Sequence, residues 1–167
     1  MDIREKLKWS LDYWLKTLSD DESLMAFTVR IDPYTYQSAE NSGNPIDYLA
    51  KNLKRHLRKA GLDIKELWFS LEFKELKNSK NPHIHGGIRI NAGQESVLAL
   101  ALQKSLGQSH PSNAARKIKL EKLYSSYWIT YILKDMKKTS KIIGRDSLFM
   151  TNNFRNLVSQ TFGNLLY

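Results

Sequence analysis

Two stretches of the chain, "LWFSLEF" (67–73) and "HIHGGIRI" (83–90), alternate apolar and polar residues with a period of two, and only the polar, turn-prone "KELKNSKNP" separates them. Side chains two apart on a strand share a face. Such a pair reads as two adjacent antiparallel strands, each with one side committed to a core. Leu67, Phe69, Leu71 and Phe73 form the apolar side of the first strand, and Ile84, Ile88 and Ile90 that of the second. His83 and His85 project together from the other side, where Gly86 and Gly87 leave the backbone uncluttered.

The same parity places Trp68, Ser70 and Glu72 on the histidine side. Glu72 is therefore the acidic partner expected across the hairpin, whereas Glu75 has the wrong parity unless a bulge intervenes. Two imidazoles and a carboxylate make a ligand set with open positions, which suits Mg²⁺ or Mn²⁺ engaging a phosphate oxygen and leaves zinc open. Taken alone, alternating histidines on a strand are more often solvent-facing or structural than metal ligands.

The elements around this hairpin set the architecture. An amphipathic helix is expected over about 1–18 from Ile3, Leu7, Leu11, Leu15 and Leu18, and then a strand over Ser23–Ile31. A polar loop, "DPYTYQSAENSGN", follows. Asn44 caps a helix that begins at Pro45, carries Leu49, Leu53 and Leu57 as its apolar stripe, and stops at Gly61. After the hairpin come a helix "ESVLALALQKSL" ending at Gly107, a short strand within "ARKIKLEKL", a helix "LYSSYWITYILKDMKK", a loop through Gly144 and a last helix near Asn153–Leu166. The order β-α-β-β-α-β is the split βαβ, ferredoxin-like α+β arrangement: a central antiparallel sheet with helices packed on it. All of 1–167 reads as one domain, with a C-terminal helical extension over about 145–167.

A second cluster lies on the tyrosine-rich segment. Tyr124, Tyr127, Tyr131 and Lys134 are spaced three, four and three apart, one face of a helix. An aromatic stripe is ordinarily core, but a lysine ending it points outward. A phenol of pKa about 10 is a poor nucleophile until a cation or a polarised phosphate assists it. Its oxygen is also a better leaving group than an alkoxide, so a phosphotyrosine bond can be resealed. Lys134 is placed to assist Tyr131, and Tyr127 is placed to serve as a second nucleophile.

Together these residues resemble a known family. "PHIHGG" looks like the histidine-hydrophobic-histidine motif of the HUH endonucleases, and "YWITYILK" is similar to the tyrosine motif of their rolling-circle replication initiators, with the two-tyrosine pattern Y-x-x-x-Y-x-x-K. "AFTVR" (26–30) resembles the family's first motif, and the order, histidines before tyrosine, is that of the initiators. The resemblance covers roughly residues 24–137. It implies an HUH endonuclease fold and site-specific nicking of single-stranded DNA at a replication origin, with transfer of the strand to a tyrosine. His83 and His85, with Glu72, become ligands of Mg²⁺ or Mn²⁺; Tyr131 becomes the nucleophile, Tyr127 a second or neighbouring tyrosine, and Lys134 their partner. Without a GxxxxGK[ST] phosphate loop, any helicase is expected to be a separate protein.

Composition agrees with a polyanionic partner: 26 Lys and Arg against 17 Asp and Glu give a formal charge of +9. Lys54, Arg55 and Arg58 on one helix, Lys137 and Lys138 on another, and Trp68 and Arg89 beside the histidines are the expected DNA contacts, Trp68 by stacking. Lacking cysteine, the chain has no disulfide and no thiolate nucleophile or ligand. With no secretion signal and no apolar run near the roughly 18 residues of a membrane span, it is expected in the cytoplasm of a cell hosting a plasmid or virus, away from membranes. Two other readings share many of these features: an HUH transposase acting on element ends, and a non-catalytic ferredoxin-like nucleic-acid-binding module.

Overall fold

The computed structural model describes residues 2–74, 81–106 and 118–164. Its elements are α1 (Ile3–Thr17), β1 (Glu22–Arg30), α2 (Pro33–Asn41), α3 (Pro45–Lys59), β2 (Leu67–Phe73), β3 (Pro82–Asn91), α4 (Glu95–Ser105), β4 (Ile118–Lys122), α5 (Tyr127–Ile132), α6 (Met136–Ile143), β5 (Leu148–Met150) and α7 (Asn152–Asn164). One five-stranded sheet has the order β4-β1-β3-β2-β5, and every neighbouring pair is antiparallel. Its first four strands, with α3 and α4 in the crossovers, are consistent with the ferredoxin-like α+β class. Glu75, Gly107, His110 and most of the β2–β3 connection lie outside the described residues. Among the described residues no helix is long and apolar enough to cross a membrane.

Helix α3 begins and ends on the residues its sequence announces. The Asn44 side chain accepts a hydrogen bond from the Asp47 N–H at 3.1 Å, Pro45 fills the first turn, and Gly61 leaves the helix at φ +77°. Leu49, Leu53 and Leu57 are buried on Met25, Phe27, Val29, Leu67, Phe69, Leu71, Ile84 and Ile88, together with Leu98 and Leu102 of α4. That core occupies one face of the sheet.

The other face is not the open surface that parity alone suggests. Leu7, Leu11 and Trp14 of α1, Ile129 and Ile132 of α5, and Phe154 and Val158 of α7 bury Leu24, Ala26 and Trp68 in a second core. The two glycines after His85 make room for one core each, Gly86 for Phe27 of the first and Gly87 for Trp68 of the second. A Cβ on Gly86 would run into the Phe27 ring and the Trp68 carbonyl, and one on Gly87 would stand 2.7 Å from the Trp68 indole nitrogen. His83 and His85 lie on this face toward the start of β3, half-buried and outside the second core.

Three elements differ from expectation. The polar loop after β1 is a helix, α2: Asp32 caps it by accepting from the Tyr34 N–H at 2.9 Å, Pro33 opens it, and Tyr36 and Ala39 bury its one apolar edge. The C-terminal extension is not wholly helical, because Leu148–Met150 adds the edge strand β5 to β2. The tyrosine segment is two short helices instead of one. Its ladder tightens where Lys134 N–H bonds Tyr131 C=O and Met136 N–H bonds Leu133 C=O, which buries Leu133 and lets α6 pack along β2. Tyr124 and Lys134 therefore flank α5 and do not continue its face.

Candidate active site

Strand register brings the residues together. His85 lies opposite Thr28 of β1 on one side and Ser70 of β2 on the other, and His83 lies opposite Arg30 and Glu72. The Glu72 carboxylate reaches diagonally, so that Oε2 accepts from His85 Nε2 at 2.7 Å, while Nδ1 of the same ring is 2.9 Å from the Thr28 hydroxyl. A hydroxyl both donates and accepts, so Thr28 can hold this ring in either tautomer.

His83 is oriented differently. Its Nδ1–H donates to the Asn81 carbonyl at 2.7 Å, which leaves Nε2 as the nitrogen with a lone pair. Asn81 supplies that carbonyl from a left-handed backbone, φ 35°, a region asparagine tolerates better than most residues. The two rings are nearly parallel, 10° between planes, with centroids 6.5 Å apart.

The electrostatics favour a neutral His83 and an ionised Glu72. Burial lowers the His83 pKa from its ordinary 6.5, opposed by the bond to Asn81 and aided by the positive charge of His85, Lys74 and Arg30. For Glu72 the hydrogen bond from His85 is the largest influence and holds the carboxyl below its ordinary 4.5 against burial, helped by a hydrogen bond with Asp135 and by the charges of His85 and Lys134. Both shifts favour folding at higher pH. The His83 contribution is complete above about 6.5, its unfolded value, and falls as pH drops from there; that of Glu72 is complete above about 4.5 and lost as pH falls through its lowered folded value. Urea midpoints at pH 7.5 and 5.5 should therefore differ less in His83→Gln than in the wild type.

As donors for a hard divalent ion these residues fit in kind. Neighbouring ligands of a six-coordinate ion with bonds of about 2.1 Å stand about 3 Å apart, close to the 2.7 Å between His85 Nε2 and Glu72 Oε2. His83 presents its free Nε2 with the other nitrogen on a carbonyl, the usual orientation of a ligating imidazole. Among the described residues no group of three or more His, Asp or Glu is drawn together as a ready-made metal site. The pair His85–Glu72 fits such an ion, and the trio with His83 is not closed. Thr28→Val, which removes the hydroxyl from His85 but keeps the shape, should lower Mn²⁺ affinity about 10–100-fold by titration calorimetry. Unchanged affinity would mean that the hydroxyl does not orient the ring.

Tyr131 and His85 line the same cleft, of about 240 Å³, with Thr28, Lys74, Lys119 and Trp128. The Lys134 ammonium stands 4.4 Å from the centre of the Tyr131 ring. Tyr127 is not among the residues lining the cleft and is 76% exposed. Thr28, Asp135, Lys74 and Lys119 were not singled out from the sequence. For Thr28 the signal was available in the alternation of "AFTVR", which sets its hydroxyl on the histidine face.

The expected DNA contacts divide. Lys137 and Lys138 are exposed on α6, directly after the Lys134–Asp135 turn. Lys54, Arg55 and Arg58 belong to α3, which packs on the opposite face of the sheet, and Arg55 bonds the Asn52 side chain at 2.9 Å. Two expectations are corrected. Trp68 offers no stacking surface, because its ring is fully buried between Trp128 and Phe154. Arg89 is held at the far end of β3 by Glu22 at 3.1 Å and Glu66 at 2.6 Å, with the Trp14 ring beside it, so its charge is satisfied within the fold.

Comparison with protein-family models, curated proteins and solved structures finds no match for the chain.

Proposed function

We propose that the chain is an HUH-type endonuclease that nicks single-stranded DNA at a replication origin and holds the cut strand on Tyr131. The observation that carries this reading is the shared cleft: His85, hydrogen-bonded to Glu72, and Tyr131, with Lys134 over its ring, face one volume that a phosphodiester can enter.

In that reading the Tyr131 phenolic oxygen attacks the scissile phosphorus, a new P–O bond to tyrosine forms, and the bond to the 3′-oxygen breaks. The phenolic proton is balanced by the one taken up by the departing 3′-hydroxyl, and the 5′-phosphate stays on Tyr131. Lys134 stabilises negative charge on the phenolate and on the phosphate. Lys74 lines the cleft as a further cation for the strand, while Lys119 is paired with Glu121 of the same lining at 3.2 Å. His85 and Glu72, joined by His83, would hold Mg²⁺ or Mn²⁺, which would supply positive charge beside a phosphate oxygen. The 3′-hydroxyl left free can prime synthesis, and attack by a similar hydroxyl on the phosphotyrosine rejoins the strand.

One observation favours a second reading, a non-catalytic nucleic-acid-binding module: Tyr124 and Tyr127 are 81% and 76% exposed and offer stacking surfaces. Incubation with labelled single-stranded DNA separates the two. An adduct that survives denaturing electrophoresis, formed with Mn²⁺ and absent with EDTA, is expected of the nicking enzyme. Tight binding with no adduct on any strand supports the module.

A further inference from the structure

A larger cavity than the Tyr131 cleft, about 440 Å³, opens at the β5 edge of the sheet, between α3, the segment leading into β2, and the start of α7. Phe149 and Ile64 in its wall pack with the α3 core, so it lies on the face of the sheet opposite the histidines. Lys54, Arg58 and Lys65 line it, against one acid, Asp63. Lys65 is paired with Asp63 at 3.7 Å. Lys54 and Arg58 have no acidic partner among the described residues, and the Lys54 ammonium stands 5.5 Å from the centre of the Phe149 ring, which steadies it beside the opening. The wall is built firmly. The Thr151 hydroxyl donates to the Lys65 carbonyl at 2.7 Å and accepts from the Leu67 N–H at 3.2 Å, which pins the start of α7 to β2.

We propose that this cavity is a second nucleic-acid contact, which takes the sugar-phosphate backbone of the strand flanking the nick. It rests on the single-stranded DNA reading of the Tyr131 cleft and extends it to the other side of the molecule. Two cations without acidic partners among the described residues, set across a concave surface, suit successive phosphates of a strand, and a flat lipid surface cannot enter it. The Tyr131 cleft is lined from β1, β3 and β4 and this cavity lies at the β5 edge, so the contact takes DNA some distance along the strand from the nick. Such a contact keeps the flanking DNA attached while its end is being transferred.

The test uses the whole chain and an oligothymidine of roughly 30 nucleotides, longer than the ~4–16 nucleotides of a single-strand site. Binding is followed by fluorescence anisotropy against NaCl in EDTA, so that no cleavage intervenes. Loss of two phosphate contacts in Lys54→Ala/Arg58→Ala should weaken binding and flatten the slope of log K against log salt by about 1.4, at about 0.7 per phosphate. Arg58→Glu should weaken binding further, and Lys104→Ala, on the exposed side of α4, should leave the slope as in the wild type. Thermal melting confirms that each variant is folded. Wild-type affinity and slope in the double variant would overturn the proposal. So would competition by thymidine monophosphate that the double variant abolishes while its oligothymidine binding stays intact, since the cavity would then hold a free nucleotide. If the slope changes as expected but no strand ever forms a tyrosyl adduct, the nicking reading fails and this contact stands.

Discussion

Tyr131→Phe is expected to reduce covalent attachment to single-stranded DNA at least about 10³-fold, because removing a nucleophile removes the pathway and does not merely tune it. Tyr127→Phe should stay within a few-fold of the wild type in the first cleavage. The difference follows from placement. Tyr131 lines the cleft that holds His85 and has the Lys134 ammonium 4.4 Å from its ring centre, whereas Tyr127, one turn earlier on α5, lies outside that lining. Adduct yield after a fixed time, with both variants and the double variant on one labelled strand, measures this. Equal loss in the two single variants would mean that the tyrosines act as a pair from the first step. A strand-transfer assay with Tyr127→Phe then shows whether the second tyrosine works in rejoining.

Trp68→Ala should cost about 3–5 kcal/mol of stability, the usual range for emptying a fully buried tryptophan. The ring is 0% exposed, stacks near Phe154 with centroids 6.4 Å apart, meets Trp128 edge-on at 6.0 Å, and occupies the space that Gly87 keeps clear. Against a total of about 5–15 kcal/mol for a typical domain, such a loss leaves the variant near the threshold of folding. Urea denaturation reads it directly. DNA affinity per folded molecule should change little; wild-type stability with weakened DNA binding would restore Trp68 as a stacking surface.

Trp68 also shows where the sequence stops being legible. Parity correctly assigns it to the face of His85 and Glu72, because a strand's two-residue period is local. Whether that face is open is not local: α1, α5 and α7, from both ends of the chain, return over half of it and leave the rest to the histidines. The same distinction separates Glu72, found by counting along one strand, from Thr28 and Asp135. Thr28 reaches His85 only through the β1–β3 register, and Asp135 reaches Glu72 only because the helix after Tyr131 tightens at a turn that no glycine or proline marks. Short elements were hidden for a related reason. β5 is too brief for a pattern, and α2 buries only Tyr36 and Ala39 within a polar run. Helix α3, with its cap, first-turn proline, leucine stripe and terminal glycine, needed nothing beyond its own residues.

The most direct test of the account is to locate the DNA on the protein. After reaction with Mn²⁺ and an origin-derived single strand, nuclease trimming and tryptic digestion, fragmentation of the peptide Leu123–Lys134 distinguishes Tyr124, Tyr127 and Tyr131. A nucleotide joined through its 5′-phosphate to Tyr131 is the expected result. Attachment at Tyr124 or Tyr127 alone, or a cut strand bearing a free 5′-phosphate with no nucleotide on the protein, would contradict it.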